Sequence, residues 1–331
     1  MPGSLFHLVV FFSELVALLN FIYSVSYHSI CIDLGSYGLS VLVWILCGLI
    51  CVPGCLCYAE LGTLIHSSGG DYTYIKMAFG DWAGSFARHV IRYLYKTMSI
   101  DLGFLRVWTE ICCVRPAIIA VCGITAATYL LQPLFTSCSP PQLPVLLLAC
   151  FFILVIVLLN VLSTPGSLAW QNISFYVKIL ALGFVISLGI FQLIRGRYEV
   201  LSQPFVGTET SIKKFSIALY IGLFPYSGWN YLSNAIEELK DPAKNFPIAI
   251  MSSIIASTIL YSLAYSAYFT SMTPFEVMTA DAVAVTFARN IYQPFGLIMP
   301  VLVSISALGG MNGRELIWIF NRFSFLKANI R

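Results

Sequence analysis

The chain has 331 residues, of which 59% are hydrophobic and only 10% are charged. Soluble domains carry roughly 25% charged residues, so this composition excludes a soluble globular protein and predicts a polytopic protein embedded in the lipid bilayer. The net charge of +3 comes without a dense basic cluster, which argues against a nucleic-acid-binding protein.

Eight apolar stretches are predicted to cross the bilayer, a crossing that takes about 20 helical residues. In chain order they are residues 5–25, 37–61, 104–131, 143–162, 173–194, 215–232, 248–269 and 294–308. The first stretch contains Glu14 and has no Lys or Arg before it, which is unlike a signal peptide. The expected fold class is therefore an all-α polytopic membrane protein.

The distribution of Lys and Arg predicts which loops face the cytosol. Ten of these residues lie near 65–103, near 234–247 and in the tail, whereas the opposite loops hold five. The positive-inside rule places the more basic set in the cytosol, so Cys138 faces the outside, where disulfides persist. Prolines in the charged segment 237–247 are expected to stop a helix there.

The sixth apolar stretch carries the sequence Tyr220-Ile-Gly-Leu-Phe-Pro-Tyr-Ser-Gly-Trp-Asn230. Pro225 removes a backbone donor, and two glycines lower the cost of leaving helical geometry. In hydrocarbon, such a break is tolerated only where protein or a water-filled cavity takes over the lost hydrogen bonds. The pattern predicts a discontinuous helix that builds a binding site, although a proline kink in a packed helix is the alternative.

Two cations lie inside predicted spans. Arg115 falls near midplane depth, and a charge there is expensive, so it is either a functional residue facing a cavity or a partner of a distant helix. Arg106 and Glu110 stand four residues apart and are expected to pair, which leaves Arg115 without a local partner. Lys178 lies near one end of its span, where its ammonium either has a function or reaches the interface.

Metal and catalytic sites are not expected. Cys51, Cys55 and Cys57 lie in an apolar span without accompanying histidines or carboxylates, so they are expected to behave as small hydrophobic residues. The four histidines form no ligand spacing, and no serine or cysteine nucleophile has an evident base. The chain is therefore expected to be neither a metalloprotein nor an enzyme, and no cofactor is predicted.

Several motifs, in order and at suitable spacing, resemble the light subunits of heteromeric amino acid transporters of the amino acid–polyamine–organocation superfamily. The resemblance runs from about Gly35 to Gly313. Its motifs are Cys57-Tyr-Ala-Glu-Leu-Gly-Thr, Ser68-Gly-Gly-Asp-Tyr-Thr-Tyr, Arg115-Pro, Cys138-Ser-Pro-Pro, Gly222-Leu-Phe-Pro-Tyr-Ser-Gly-Trp-Asn-Tyr-Leu, Glu237-Glu-Leu-Lys-Asp-Pro and Asp281-Ala-Val-Ala-Val-Thr-Phe.

The resemblance implies a fold of roughly twelve helices built as an inverted repeat, with the first and sixth helices unwound around the substrate. It implies sodium-independent exchange of amino acids by alternating access, with substrates of the cystine/glutamate or large neutral (L-type) class. It also implies a partner in the plasma membrane. Cys138 matches the position at which the family forms a disulfide with a type II membrane glycoprotein, the heavy chain.

The same resemblance assigns roles to individual residues. The backbone around Ile221, Gly222 and Tyr226 would hold the substrate ammonium, although Tyr226 is also expected to pack the broken helix. Phe224 matches the aromatic gate over the substrate, and Asn230 lies beside the site. Two cations complete this set: Arg115 would accept an anionic side chain, and Lys178 would take the place of a sodium ion.

The sequence departs from the family pattern at three places. The glycine-rich break of the first helix is absent, residues 81–103 form an apparent insertion, and the match decays after Asn312-Gly313. We therefore divide the chain into an atypical N-terminal apolar segment (1–34), a transporter domain (35–313) and a basic cytosolic tail (314–331), and we expect an inverted-repeat transporter fold with discontinuous helices, truncated to about eight spans. The alternative function is a non-transporting subunit that binds the heavy chain and modulates trafficking.

Overall fold

The computed structural model describes residues 26–65, 74–75, 77, 105, 108–135, 140–226, 228, 241–280 and 282–329, with side chains from residue 30 to residue 313. All regular secondary structure within these residues is helical, which confirms the predicted all-α fold class. The α-helices in this part of the chain are α1 (Ser26–Leu34), α2 (Tyr37–Leu64), α3 (Arg115–Leu131), α4 (Gln142–Leu162), α5 (Thr164–Ile194), α6 (Glu199–Ser202), α7 (Ile212–Leu223), α8 (Pro242–Tyr268), α9 (Pro274–Thr279), α10 (Val283–Ile291) and α11 (Phe295–Asn329).

Six helical segments in the described part are long and apolar enough to cross a membrane. They are Tyr37–Leu64, Glu110–Leu134, Gln142–Leu162, Thr164–Ile194, Pro242–Tyr268 and Phe295–Gly313. The chain is therefore an integral, multi-pass membrane protein. Of the eight predicted spans, the stretch 5–25 lies outside the described residues. In the stretch 215–232, the described α-helix begins at Ile212, before the stretch, and ends at Leu223 after 12 residues.

The fifth predicted span begins too late in the sequence, because the helix that contains it starts at Thr164 rather than near residue 173. Only Ser163 separates α4 from α5, and its side-chain oxygen accepts a hydrogen bond from the backbone N–H of Gly166 at 3.1 Å. Ser caps helix N-termini in this way, and proline is favoured in the first turn. The residues Ser163-Thr-Pro-Gly therefore start a helix.

The prediction that prolines stop a helix in the segment 237–247 is wrong for its described part. Helix α8 begins at Pro242 and continues through Pro247. Proline at the first helical position costs little, because its missing N–H has no intrahelical acceptor there. Further along the chain, the backbone of α11 continues to Asn329, so the described part of the predicted tail is helical.

The described helices pack as two groups that share α5. In the first group, α2 packs along α8 and α7 packs along both α1 and α2. In the second group, α11 packs against α3, α4 and α5, and a separate hydrophobic cluster of Ile118, Cys122, Ile156 and Met311 joins three of these helices. Helix α5 also packs against α8, which connects the two groups.

Three connections meet at one end of the bundle. The backbone N–H of Gly38, at the start of α2, donates to the carbonyl of Pro204 at 2.6 Å. The ring of Tyr37 lies 5.1 Å from that of Phe269, just after α8. The turn after α3 packs against α11, the helix that follows the loop 273–293. These contacts agree with the predicted grouping of the loops 133–142, 195–214 and 273–293 on one side of the membrane.

Candidate functional site

The predicted interruption of the sixth apolar stretch is confirmed. Helix α7 ends at Leu223, a single 3-10 turn follows at Phe224–Tyr226, and Gly228 has a φ of 130°, a geometry that favours glycine. Pro225 lacks the N–H that a continuing helix would use. The chain therefore leaves α-helical geometry inside a membrane bundle instead of bending as a kinked helix.

Close packing against α2 holds the last turn of α7. A Cβ at Gly222 would lie 2.8 Å from the Sγ of Cys47 and 3.3 Å from a methyl carbon of Val43, so glycine allows the two helices to approach. The Cys47 thiol donates to the carbonyl of Leu219 at 3.5 Å. Ile221 is half-buried against the same hydrophobic core. The residues before the interruption are therefore fixed by their neighbours on α2.

The three residues of the 3-10 turn differ in exposure. Pro225 and Tyr226 are buried, whereas Phe224 is 37% exposed. The Tyr226 hydroxyl donates to the backbone carbonyl of Trp44 at 2.9 Å, which confirms that this side chain packs the broken helix. Asn230 lies outside the described residues.

Arg115 has a local partner, so the expectation that it lacks one is wrong. Its Nε lies 3.7 Å from the Oε1 of Glu110, and both side chains are only 12% exposed. Residues Glu110–Val114 form a π-helical turn, in which the Arg115 N–H donates to the Glu110 carbonyl five residues earlier. This turn aligns residues five apart, whereas the expected pairing assumed α-helical spacing. Arg106 lies outside the described residues.

Lys178 is completely buried near the middle of the 31-residue helix α5. It therefore lies far from both helix ends, and the interpretation that its ammonium reaches the interface is wrong. The helix starts earlier than predicted, which moves Lys178 from the end of the span to its centre. A buried ammonium at this depth is costly and by default functional.

The structure brings together only part of the predicted site. Ile221, Gly222, Phe224 and Tyr226 lie together at the end of α7. Arg115 lies at the start of α3, in the second group, and Lys178 lies on α5, the helix that the two groups share. Cys138 lies outside the described residues. No disulfide joins the cysteines that the structure describes, and those residues contain no cluster of three or more His, Cys, Asp or Glu side chains that could hold a metal ion.

A buried polar cluster on the second helix group was not predicted. The side chains of Asn160 and Asn312 form a hydrogen bond of 2.9 Å, and the Ser167 hydroxyl lies 2.7 Å and 2.9 Å from their two oxygens. The Nδ2 of Asn312 also donates to the Oε1 of Gln171 at 3.1 Å. The sequence feature that could have predicted this cluster is the asparagine within the apolar run 143–162, because a buried amide in a membrane needs hydrogen-bond partners.

The family described as "Amino acid permease" matches residues 4–318. The human protein named "Cystine/glutamate transporter" is 37% identical over 279 residues, which cover 84% of this chain and 52% of that protein.

Two further relatives have similar sequence identity to this chain and similar coverage. The human "Large neutral amino acids transporter small subunit 2" is 40% identical over 282 residues, covering 84% of this chain and 49% of that protein. The mouse "Asc-type amino acid transporter 1" is 39% identical over 284 residues, covering 84% and 50%. The chain spans about half the length of the curated relatives it matches. All three are named as transporters.

Proposed function

Because the chain belongs to the amino acid permease family, we propose that it binds amino acids at the interruption after α7 and exchanges them across a membrane. The proposed mechanism is sodium-independent alternating access, in which the site opens to one side at a time. The observation that carries the proposal is the end of α-helical geometry at Leu223 within a membrane bundle. Interrupted membrane helices supply backbone groups for solute binding near the midplane.

The proposed site centres on the 3-10 turn. The backbone groups of Ile221, Gly222 and Tyr226 would hold the substrate ammonium, with Asn230 beside them. Phe224 would close over the substrate side chain as a gate. Its exposure of 37% supports this role, because the other two residues of the turn are buried and serve packing.

Lys178 is proposed to supply a fixed positive charge where a sodium-coupled transporter would bind its cation. Its complete burial at the centre of α5 supports this role, since a lysine that served only solubility would reach the membrane surface. Helix α5 packs against both helix groups. A charge on α5 is therefore well placed to couple substrate binding to a movement of one helix group relative to the other.

We propose that the charge of Arg115, which lies on α3 in the other helix group from the 3-10 turn, selects the side-chain class of the substrate. Alone, its guanidinium would attract an anionic side chain, as the prediction from sequence assumed. Glu110 lies 3.7 Å away and offsets that charge, while its carboxylate repels a second anion. We therefore place large neutral amino acids ahead of cystine and glutamate as substrates.

Uptake of radiolabelled amino acids tests this function. In cells that co-express a heavy chain, we expect leucine uptake above background, unchanged when sodium is removed, and stimulated by leucine preloaded inside the cells. The matched variant Lys178→Met keeps the length of the side chain and removes its charge, so exchange should be lost while surface expression persists. No exchange above that of cells expressing the heavy chain alone would overturn the proposal, and uptake of glutamate but not leucine would reverse the substrate assignment.

We further propose that the chain reaches the plasma membrane in a disulfide-linked complex with a type II membrane glycoprotein heavy chain, through Cys138. A non-reducing gel should show a high-mass band that disappears in the Cys138→Ser variant and on reduction. Cys57→Ser is the matched control, because Cys57 is exposed and lies on α2. Its band should be unchanged, and a band that survives in Cys138→Ser would contradict the assignment.

The second candidate function is a non-transporting subunit that binds the heavy chain and alters trafficking of transport-competent light chains. It is motivated by the absence of the glycine-rich first-helix motif alongside the presence of Cys138. A Cys138-dependent band without amino acid exchange would favour this function. If neither the Cys138-dependent band nor amino acid exchange is observed, the trafficking function and the exchanger function are both excluded.

A further inference from the structure

The residues around Pro225 are attached to two other helices by tyrosine hydroxyls. The hydroxyl of Tyr261, on α8, donates to the carbonyl of Pro225 at 3.3 Å. The hydroxyl of Tyr226, the next residue after Pro225, donates to the carbonyl of Trp44 on α2 at 2.9 Å. Adjacent residues of the interruption are thus bound to two helices that pack on each other, α8 and α2.

The three aromatic side chains also pack on one another. The ring centroid of Tyr261 lies 5.2 Å from that of Tyr226 and 5.5 Å from that of Trp44, with both pairs edge-to-face at 70°. All three side chains are completely buried. Aromatic pairs at these distances favour edge-to-face geometry, so the rings hold the hydroxyls in place.

The hydrogen bond of Tyr261 differs from those of other hydroxyls on α8. Ser253, Thr258 and Ser266 each donate to a carbonyl of α8 itself, four residues earlier. Tyr261 reaches across to Pro225, 36 residues earlier in the chain. Its hydroxyl therefore links the interrupted segment to the helix that carries it.

We infer that Tyr261 is a positioning residue for the amino acid site. Its hydroxyl fixes the backbone of Pro225 against α8, and the Tyr226 hydroxyl forms a second anchor on α2. This inference rests on the proposed function for its consequence in transport. A buried carbonyl without a donor is costly in a membrane, so the interrupted segment reorients when the hydroxyl is removed. The aromatic rings alone do not set the carbonyl direction.

Tyr261→Phe removes the hydroxyl and keeps the ring. We expect the KM for amino acid uptake to rise about fivefold, the equivalent of one hydrogen bond, with Vmax per surface protein changed much less. Tyr37→Phe is the matched control, because the Tyr37 hydroxyl donates to Ser266 at 3.1 Å and so joins the same two helices away from the interruption. Its KM should equal that of the parent.

A second readout does not require transport. In Phe224→Cys, the reaction of the new thiol with a membrane-permeant maleimide is followed by mass spectrometry of the purified full chain. Adding Tyr261→Phe should change the rate about fivefold, and adding Tyr37→Phe should leave it unchanged. If the parent chain takes up no amino acid, the proposed function fails, and this rate alone decides the inference.

Tyr226→Phe provides a second test, should Tyr261→Phe fail to give a monodisperse protein. Loss of the other anchor should change the same rate in the Phe224→Cys background. Unchanged KM and unchanged thiol reactivity in the folded variants would overturn the inference. A change of equal size in Tyr37→Phe would also overturn it, because general loosening of α2 and α8 would then explain the effect.

Discussion

Gly309→Ala is expected to destabilise the protein by about 3 kcal/mol, in the range of overpacked cores. A Cβ at Gly309 would overlap the Cβ of Ser174 and would lie 2.7 Å from its Oγ. Ser174 is completely buried on α5, and its Cβ cannot rotate away because it is bonded directly to the helix backbone. The added methyl group can therefore be accommodated only if α5 and α11 separate.

Gly183→Ala is the matched control for this substitution. Gly183 lies on α5, and a Cβ there meets no described atom within 4 Å. Alanine is favoured over glycine in a helix interior by about 1 kcal/mol, so this variant should be as stable as the parent or slightly more stable. The midpoint of unfolding in mixed micelles compares the two variants. Equal midpoints would show that α5 and α11 are not in close contact at Gly309.

The membrane helices were largely predictable, because a membrane span depends on local composition. The stretches 37–61 and 143–162 lie within helices of nearly the same extent, and the stretch 248–269 ends one residue after α8, which begins six residues before it. The interruption was equally local, since Pro225 lacks a donor wherever it is placed. The start of α5 was missed because Ser163-Thr-Pro-Gly can form either a turn or a helix N-terminus. Only the packing of α4 beside α5 distinguishes the two.

Features that depend on helix geometry or distant contacts were not predictable in the same way. The pairing of Arg115 with Glu110 requires a π-helical turn, and residue spacing alone indicated an α-helix. The anchoring of Pro225 by Tyr261 and the contact between Gly309 and Ser174 join separate helices. A single sequence shows that such residues are polar, small or aromatic. It does not show which helix each residue meets.

Asn312→Ala is expected to have an effect as large as that of Gly309→Ala. The Asn312 amide accepts from Asn160 and Ser167 and donates to the Ser167 carbonyl and to Gln171, at distances from 2.9 to 3.1 Å. Its removal leaves several buried groups without one of their partners. Each such group costs about 1–3 kcal/mol, so the total loss should be about 3 kcal/mol after partial repacking. Unfolding midpoints in mixed micelles measure it.

Asn312→Leu separates the two possible causes of this loss of stability, and a surface asparagine serves as the control. Asn312→Leu fills nearly the same volume but makes no hydrogen bond, so it should be as unstable as Asn312→Ala if the hydrogen bonds dominate. Recovery in the leucine variant would instead assign the loss to a cavity. Asn290→Ala is the surface control, because Asn290 is exposed and its single bond to the Ser271 carbonyl is long, at 3.4 Å.

The polar cluster around Asn312 joins α11 to the turn between α4 and α5. Asn160 lies near the end of α4 and Ser167 near the start of α5, so Asn312 fastens α11 to the turn at Ser163. This turn is at the opposite end of α5 from the 195–214 loop, on the predicted cytosolic side. A double-mutant cycle between Asn312→Ala and Ser167→Ala should therefore show a coupling energy above about 0.5 kcal/mol, the value that separates interacting sites from independent ones. Additive losses would mean that α11 and the α4–α5 turn are held by apolar packing alone.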